Sequence, residues 1–290
     1  AAAERLFISQ SAVSQHMKEL EAGLGRSLFV RGRRGVRLTA HGEVLTQYAG
    51  EILALVARAE TALTDVAHLP GGKVSIGATP GVAVYLAPDW IQTFRDRFPR
   101  LSVALQTDVT GRIVPDVLAG RLDMGFIEGE LEGYLNPRLA WRDLKEVEQM
   151  VVAGRGHPWA GLTSIRLAEL NDQPMIMRQP GSQTRAWLDG ALRQWKVKPV
   201  VAAEFDNLES IKRLVVQGTG LTILPEYVVR AEIAAGELIA IPVEGQPLRR
   251  VLKLVWAADG YFSPVALAFL GQLTEWYSLP GIIEPVGRSN

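Results

Sequence analysis

The chain has 290 residues, 48% of them hydrophobic, and its 31 lysines and arginines balance 31 aspartates and glutamates, so any surface suited to nucleic acid must be a local patch. The absence of cysteine excludes disulfides, thiolate metal sites, a cysteine nucleophile and a thiol redox sensor. No charge-free apolar run reaches the roughly 18 residues of a membrane span, and the start AAAERLFISQ lacks the basic-then-apolar order of a signal peptide; the expectation is an unexported cytoplasmic protein with no membrane partner.

Residues 1–38 read as short helical pieces broken by glycines and closed by a strand-like hairpin near residues 30–38. In SQSAVSQHMKELEAGL, residues 9–24, an N-cap at Ser9 puts Val13, Met17, Leu20 and Leu24 on one apolar stripe expected to pack inward. The opposite face carries Gln10, Ser11, Ser14, Gln15 and Lys18, side chains suited to base edges and phosphates in a major groove. Pattern alone equally describes an ordinary amphipathic surface helix. The adjoining segment is more specific: Arg26, Arg31, Arg33, Arg34 and Arg37 come with no acid among them, and Gly32 and Gly35 mark a tight turn. A basic hairpin beside a polar-faced helix suits a wing that grips the DNA backbone, although an arginine-rich turn by itself is usually a solvated loop.

Residues 39–69 hold no proline, so one long helix capped by Thr39 is expected, ended by Pro70, Gly71 and Gly72. Leu45, Ile52, Ala59 and Val66 fall seven apart, as do Ala49, Val56 and Leu63, which together give the alternating spacing of a dimeric coiled coil. A single helix packed on its own domain is the alternative. Dimerisation would let paired helices read two half-sites.

Beyond residue 72, strand-like runs at 74–78, 103–107, 124–127, 150–153, 175–177, 200–203 and 221–224 alternate with helical stretches, which predicts parallel α/β layers. KVSIGATPG at 73–81 reads as a strand turning into a helix over 82–97, with Thr79 and Gly81 at its N-terminus. Thr110, in TDVTGR, lies in a turn after a strand end. In RQPGSQTRAWL, Ser182 can cap a helix, with Gln179, Thr184 and Arg185 nearby. Free N–H groups at such ends favour an anion, and three ends on two lobes can converge on one cleft. Taken singly, each is also what a common helix cap looks like.

The stretch AAERLFISQSAVSQHMKELEAGLGRSLFVRGRRGVRLTAHGE contains AA-x-x-L, SQ-x-A-x-S, LE-x-x-L-G, LF-x-R and LT-x-x-G in fixed order. In this it resembles the DNA-binding signature of LysR-type transcriptional regulators. Ser11 departs from the proline common there, and the chain opens inside what the resemblance makes the second helix, so the family's first helix falls outside this numbering. VLAGRLDMGFI, GRGHP and VVQGTGLTILPEYV are similar to looser pieces of the LysR effector domain.

The resemblance implies a winged helix-turn-helix at 1–38, a linker and dimerisation helix at 39–70, and two α/β lobes of periplasmic-binding-protein type. Lobe one would hold 71–144 and 256–290, and lobe two 145–255, with crossings near Lys145 and Val255 and a final helix over 261–277. It implies promoter DNA as partner, contacted by Ser9, Gln10, Ser11, Ser14, Gln15, Lys18, Arg31, Arg33 and Arg34. It also implies a homodimer through the linker helix and a homotetramer, with RNA polymerase as a further partner. Between the lobes a small effector, anionic on the reading above, would meet Thr79, Gly81, Thr110, Gln179, Ser182 and Thr184, with Arg185 as a further candidate. The RQPGSQTR loop is somewhat similar to that of regulators of carbon-fixation and sulfur-assimilation genes.

The rival readings are an enzyme and a solute-binding protein without a DNA-binding role. The chain has no GxSxG, HExxH or GxxxxGK motif, so no catalytic residue, metal ligand or cofactor is expected. Its four histidines, His16, His41, His68 and His157, read as structural or solvent-facing. A solute-binding protein leaves the basic hairpin without a purpose.

Overall fold

The computed structural model describes residues 8–32, 35–46, 48–49, 52, 69–134, 136–245, 248–258, 260 and 262–277. The chain divides between Ala59 and Glu60 into two compact units.

In the first unit, helix α1 (Gln10–Leu24) starts where the Ser9 hydroxyl accepts a hydrogen bond from Ala12 N at 3.1 Å. It stops at Gly25, whose φ of 62° is the left-handed conformation that a helix C-cap requires. Strands β1 (Phe29–Gly32) and β2 (Gly35–Leu38) pair antiparallel from Phe29 opposite Leu38 to Gly32 opposite Gly35. The Glu21 carboxylate accepts from the backbone N–H groups of Leu28 and Phe29 at 2.6 and 3.1 Å, which ties helix to hairpin. Along the apolar stripe, Val13 and Met17 are half-buried, whereas Leu20 and Leu24 remain 41% and 48% exposed, so among the described residues the stripe is covered at one end only. Residues 40–46 are helical, and Thr39 caps them by accepting from Gly42 N at 3.0 Å. Arg33, Arg34, the Arg31 side chain, His68 and the coiled-coil seam from Val56 onward lie outside the described residues.

The second unit begins with β3 (Gly72–Ala78), α2 (Pro80–Tyr85), α3 (Ala87–Arg97), β4 (Leu101–Thr107), α4 (Thr110–Leu118) and β5 (Met124–Glu128). The single helix expected over 82–97 is two, parted at Leu86. Pro88 is the cause: without an N–H and with its ring against the preceding turn, it serves the first turn of a new helix and cannot continue an old one. Next come β6 (Leu139–Gly154), β7 (Pro174–Arg178), α5 (Gln183–Gln194), β8 (Val200–Phe205), α6 (Leu208–Val216), β9 (Thr222–Pro225), α7 (Glu226–Ala234) and β10 (Leu238–Ile241). The chain then returns through β11 (Arg249–Ala257) to α8 (Pro264–Tyr277).

The sheets are mixed rather than parallel throughout. Strands β4, β3 and β5 are parallel, and β7 is parallel to β8. The strands that carry the chain between lobes run against this direction: β11 lies antiparallel between β5 and β6, and β6 then pairs antiparallel with β9 and β10. Strand β6 is 16 residues long, far beyond the 150–153 run that reads as a strand in sequence, because it serves both lobes. Its residues up to Glu148 pair with β11, and Gln149 is the first to pair with β9.

Burial follows these layers. In lobe one, Trp90, Phe94, Phe126 and Phe269 meet at tilted and edge-on angles with ring centroids 4.8 to 6.4 Å apart, the geometry that ring quadrupoles favour. The buried Gln272 amide donates to Trp90 O at 2.8 Å and fastens α8 to α3. Lobe two closes its core around Ile165, Leu170, Met175, Leu188 and Leu221.

Candidate functional site

One face of α1 presents Gln10, Ser11, Ser14, Gln15 and Lys18, all exposed, beyond the exposed cap Ser9. Ser9 and Ser11 share a 2.8 Å hydroxyl contact, and Gln15 donates to Glu19 at 2.8 Å, so short local bonds hold this face in order. Arg37, on β2 of the hairpin, is exposed as well.

Within the second unit, a cavity with an empty volume of about 530 Å³, its open mouth included, lies between the lobes. Its walls are chain ends. Helices α4, α5, α6 and α7, of 9, 12, 9 and 9 residues, each bring their first turn to it through Val109 and Thr110, Ser182 to Thr184, Leu208, and Pro225 with Tyr227. The short α2 adds Thr79, Pro80 and Gly81. Helix N-termini carry unsatisfied N–H groups and a partial positive charge, so their convergence gives the cavity a field suited to an anion. Glu128 and Arg178 reach it as the last residues of β5 and β7, in keeping with the tendency of open α/β sheets to bind ligands outside strand carboxyl ends.

At the floor is a buried polar network. Arg250, 2% exposed, pairs through Nη1 with Glu128 Oε1 at 3.0 Å, and Glu128 is 5% exposed. Arg250 Nη2 donates to Glu128 O at 2.8 Å, its Nη1 donates to Thr184 Oγ1 at 3.1 Å, and its guanidinium lies over the Trp187 ring. Gln149 Nε2 donates to Glu128 Oε1 at 3.1 Å, and the Tyr227 hydroxyl donates to Oε2. Burial, reinforced by the Glu128 charge, pushes the Tyr227 phenol well above its ordinary value, so it remains a donor. Gly129 makes the network possible: with φ at +117°, a Cβ there would sit 2.0 Å from Arg250 Nη2. Similarly, a Cβ on Gly81 would approach the Tyr227 hydroxyl to 2.9 Å.

Five of the six residues expected around an effector, Thr79, Gly81, Thr110, Ser182 and Thr184, line this one cavity. Gln179 is exposed and is not among the lining residues; the preceding Arg178 lines it instead, as consecutive residues at a strand end point to opposite sides. Arg185 turns away, donating to Asp189 at 2.9 Å, to Glu204 at 2.5 Å and to the Arg178 carbonyl at 2.8 Å. Sequence reasoning missed Glu128, Arg178, Gln183, Tyr227 and Arg250. The available signals were an acid closing the apolar run MGFIE and an arginine entering the apolar run VLKLVW. Among the described residues no group of three or more His, Asp or Glu is placed to hold a metal ion, and no helix is long and apolar enough to cross a membrane.

A helix with an exposed polar face and a following hairpin, in the same chain as a two-lobed α/β domain with a cleft, are the parts of a transcriptional regulator with an effector-binding domain. Residues 1–43 match the family model described as bacterial regulatory helix-turn-helix protein, lysR family, and residues 67–278 match that of the LysR substrate binding domain. The chain belongs to the LysR family, which is one of transcriptional regulators rather than enzymes.

Among its relatives, a "Probable RuBisCO transcriptional regulator" of Cyanidioschyzon merolae is 31% identical over 275 residues, 94% of this chain and 91% of that one. Another so named, of Nostoc sp., is 30% identical over 282 residues, covering 96% and 84%. Of solved structures, the CcmR regulatory domain of Synechocystis PCC6803 in complex with 2-PG superposes with a TM-score of 0.65 at 24% identity, covering 71% of this chain and 97% of that one. HinK, a LysR family transcriptional regulator from Pseudomonas aeruginosa, does so with 0.61 at 23% identity, covering 95% and 91%.

Proposed function

We propose that this protein binds promoter DNA sequence-specifically and that a small anionic metabolite, held between its two α/β lobes, sets its activity. The observation that carries the anionic reading is the convergence of four helix N-termini and the Arg178 guanidinium on one interlobe cavity. On this reading Thr79, Gly81, Thr110, Ser182 and Thr184 contact the effector. Gln10, Ser11, Ser14, Gln15 and Lys18, with cap Ser9, read or grip the operator, while Arg31, Arg33 and Arg34 neutralise phosphates. The helix over 39–70 pairs two chains, the α/β domains build a homotetramer from the pairs, and the bound assembly contacts RNA polymerase. The names of the relatives and a neighbour of the same fold in complex with 2-PG make 2-PG the first effector to try.

The test is fluorescence anisotropy of the protein on DNA upstream of its own gene and on random DNA, across a salt series, with and without 2-PG. Selective binding that weakens steeply with salt and changes with 2-PG supports the reading in full. Selective binding indifferent to 2-PG and to other small carboxylates and phosphates removes the anionic effector and leaves the DNA-binding role. Equal binding to both DNAs at every salt removes sequence specificity.

A further inference from the structure

Among the described residues three charged side chains line the cavity, Glu128, Arg178 and Arg250, and they are not equivalent. Arg250 is already answered by the Glu128 carboxylate, the Glu128 carbonyl, the Thr184 hydroxyl and the Trp187 ring. Arg178 stands differently. Among the described residues its guanidinium has no ion pair and Asp206 acts on it only as a more distant charge; its Nε, like that of Arg250, is buried without a hydrogen-bond partner. Burial weakens its hold on the proton, but an arginine does not give its proton up in a protein, so a cation remains in the wall with part of its hydration removed. Arg185 fixes the Arg178 carbonyl at 2.8 Å and so holds the end of β7 in place. Thr110, 1% exposed, also lines the cavity, and its hydroxyl makes no hydrogen bond with any described residue.

We infer that Arg178 is the side chain that takes the effector's anionic group, while the Glu128–Arg250 pair stays closed on itself, so that the site selects a small oxyanion carrying a second polar group for Thr110. The inference rests on the proposed anionic effector and deepens it. A carboxylate and a phosphate monoester both present the paired oxygens that a guanidinium fork accepts. Because the pair on the floor is neutral as a whole, one negative charge on the ligand is matched at Arg178. The rest of the ligand meets the Thr110 hydroxyl and the free N–H groups of the helix N-termini.

Two measurements test this on the full chain. The first needs no ligand: Arg178→Met removes an unanswered cation and leaves the melting temperature unchanged or higher, and a melting temperature lowered by several degrees would make Arg178 structural and overturn the inference. The second is calorimetric titration of wild type, Arg178→Met and Arg178→Lys with glycolate, 2-phosphoglycolate, inorganic phosphate and the neutral glycolamide. Wild type is expected to bind at least one of the three anions and to ignore glycolamide. Arg178→Met is expected to bind that anion about tenfold to a hundredfold more weakly, the loss typical of a hydrogen bond to a charged group, with Arg178→Lys in between. Preference for glycolate over phosphate identifies the source as a carboxylate, and the reverse as a phosphate. An anion bound equally well by wild type and Arg178→Met overturns the role of Arg178 and leaves the proposed function standing. A wild type that binds glycolamide as well as the anions, or none of the four, overturns the anionic reading and this inference with it.

Discussion

Replacing Arg250 by methionine should be among the most damaging single changes in the two-lobed domain. Methionine fills much of the same channel beside Trp187, so the loss is one of charge rather than volume. The Glu128 carboxylate, 5% exposed, would keep Gln149 and Tyr227 as donors but lose the guanidinium that neutralises it. Breaking a buried ion pair from one side typically costs about 3–5 kcal/mol, because the remaining charge is stranded away from water. At roughly 2–4 °C per kcal/mol for a domain of this size, the melting temperature should fall by about 6–20 °C. The double variant Glu128→Gln, Arg250→Met removes both charges, and the amide oxygen it introduces can still accept from Tyr227, so it should recover at least about 2 kcal/mol relative to the sum of the single losses. Calorimetric melting of wild type, both single variants and the double variant closes the cycle. A single loss below about 1 kcal/mol, or strictly additive losses, would refute the view that this pair holds the floor of the cavity.

On DNA, replacing Arg33 and Arg34 by alanine should weaken operator and random sequence alike and flatten the salt dependence, whereas Gln10→Ala should weaken only the operator, by about 1–3 kcal/mol; equal losses of both kinds in anisotropy titrations would remove Gln10 from base reading. Thr110→Val keeps the shape of a residue that is 1% exposed, so it should preserve folding and DNA affinity while abolishing the effector's influence on DNA binding; an unchanged response would exclude Thr110 from the site. His157, edge-on to Trp159 with Nδ1 accepting from Trp159 N at 3.2 Å, has its pKa lowered by burial, so the folded state favours the neutral ring. Its contribution is therefore complete above the ordinary value of 6.5 and is lost as pH falls below it, and His157→Asn should flatten that part of the stability profile as followed by urea unfolding.

How much of this was legible in sequence depended on how local the cause was. Ser9, Thr39 and Ser182 cap helices as their spacing indicates, because a cap is decided within three or four residues. The strands at 74–78 and 124–127 follow from apolar runs that two packed layers must cover. The length of β6 was hidden because its outward charges, in WRDLKEVEQ, interrupt the apolar pattern while the strand continues across both lobes. The floor of the cavity was hidden more deeply. Arg250 and Glu128 are 122 residues apart, and nothing near either one announces the other until β11 is laid against β5 with Leu252 opposite Glu128. Gln179 and Arg178 show the same limit on a smaller scale: sequence finds the loop, but which of two neighbours faces the cavity is settled by the pleat at the end of β7.

The floor is also where the lobes are joined. Gln149 is the first residue of β6 to leave β11 for β9, Arg250 is near the start of β11, and both bond Glu128. Two further ties flank the cavity: the Tyr85 hydroxyl on α2 donates to Glu209 on α6 beside the buried Lys212, and Gln183 on α5 donates to the Tyr134 hydroxyl at 2.9 Å. These bonds favour the lobe arrangement seen in this structure. An effector that gathers polar contacts from both walls also favours it, and a ligand shifts such an equilibrium only by its difference in affinity for the two arrangements. Tyr85→Phe combined with Tyr134→Phe, two residues that do not line the cavity, should therefore lower the population of this arrangement and weaken effector binding, by up to about 2- to 10-fold for each net hydrogen bond of roughly 0.5–1.5 kcal/mol. Lys212, held by Glu232 at 2.6 Å and by Val228 O, keeps α6 and α7 together in the double variant, so the change should fall on the lobe equilibrium rather than on folding. Tighter effector binding by the double variant would mean that the ties hold the lobes in the arrangement the effector disfavours, so that effector and ties oppose each other.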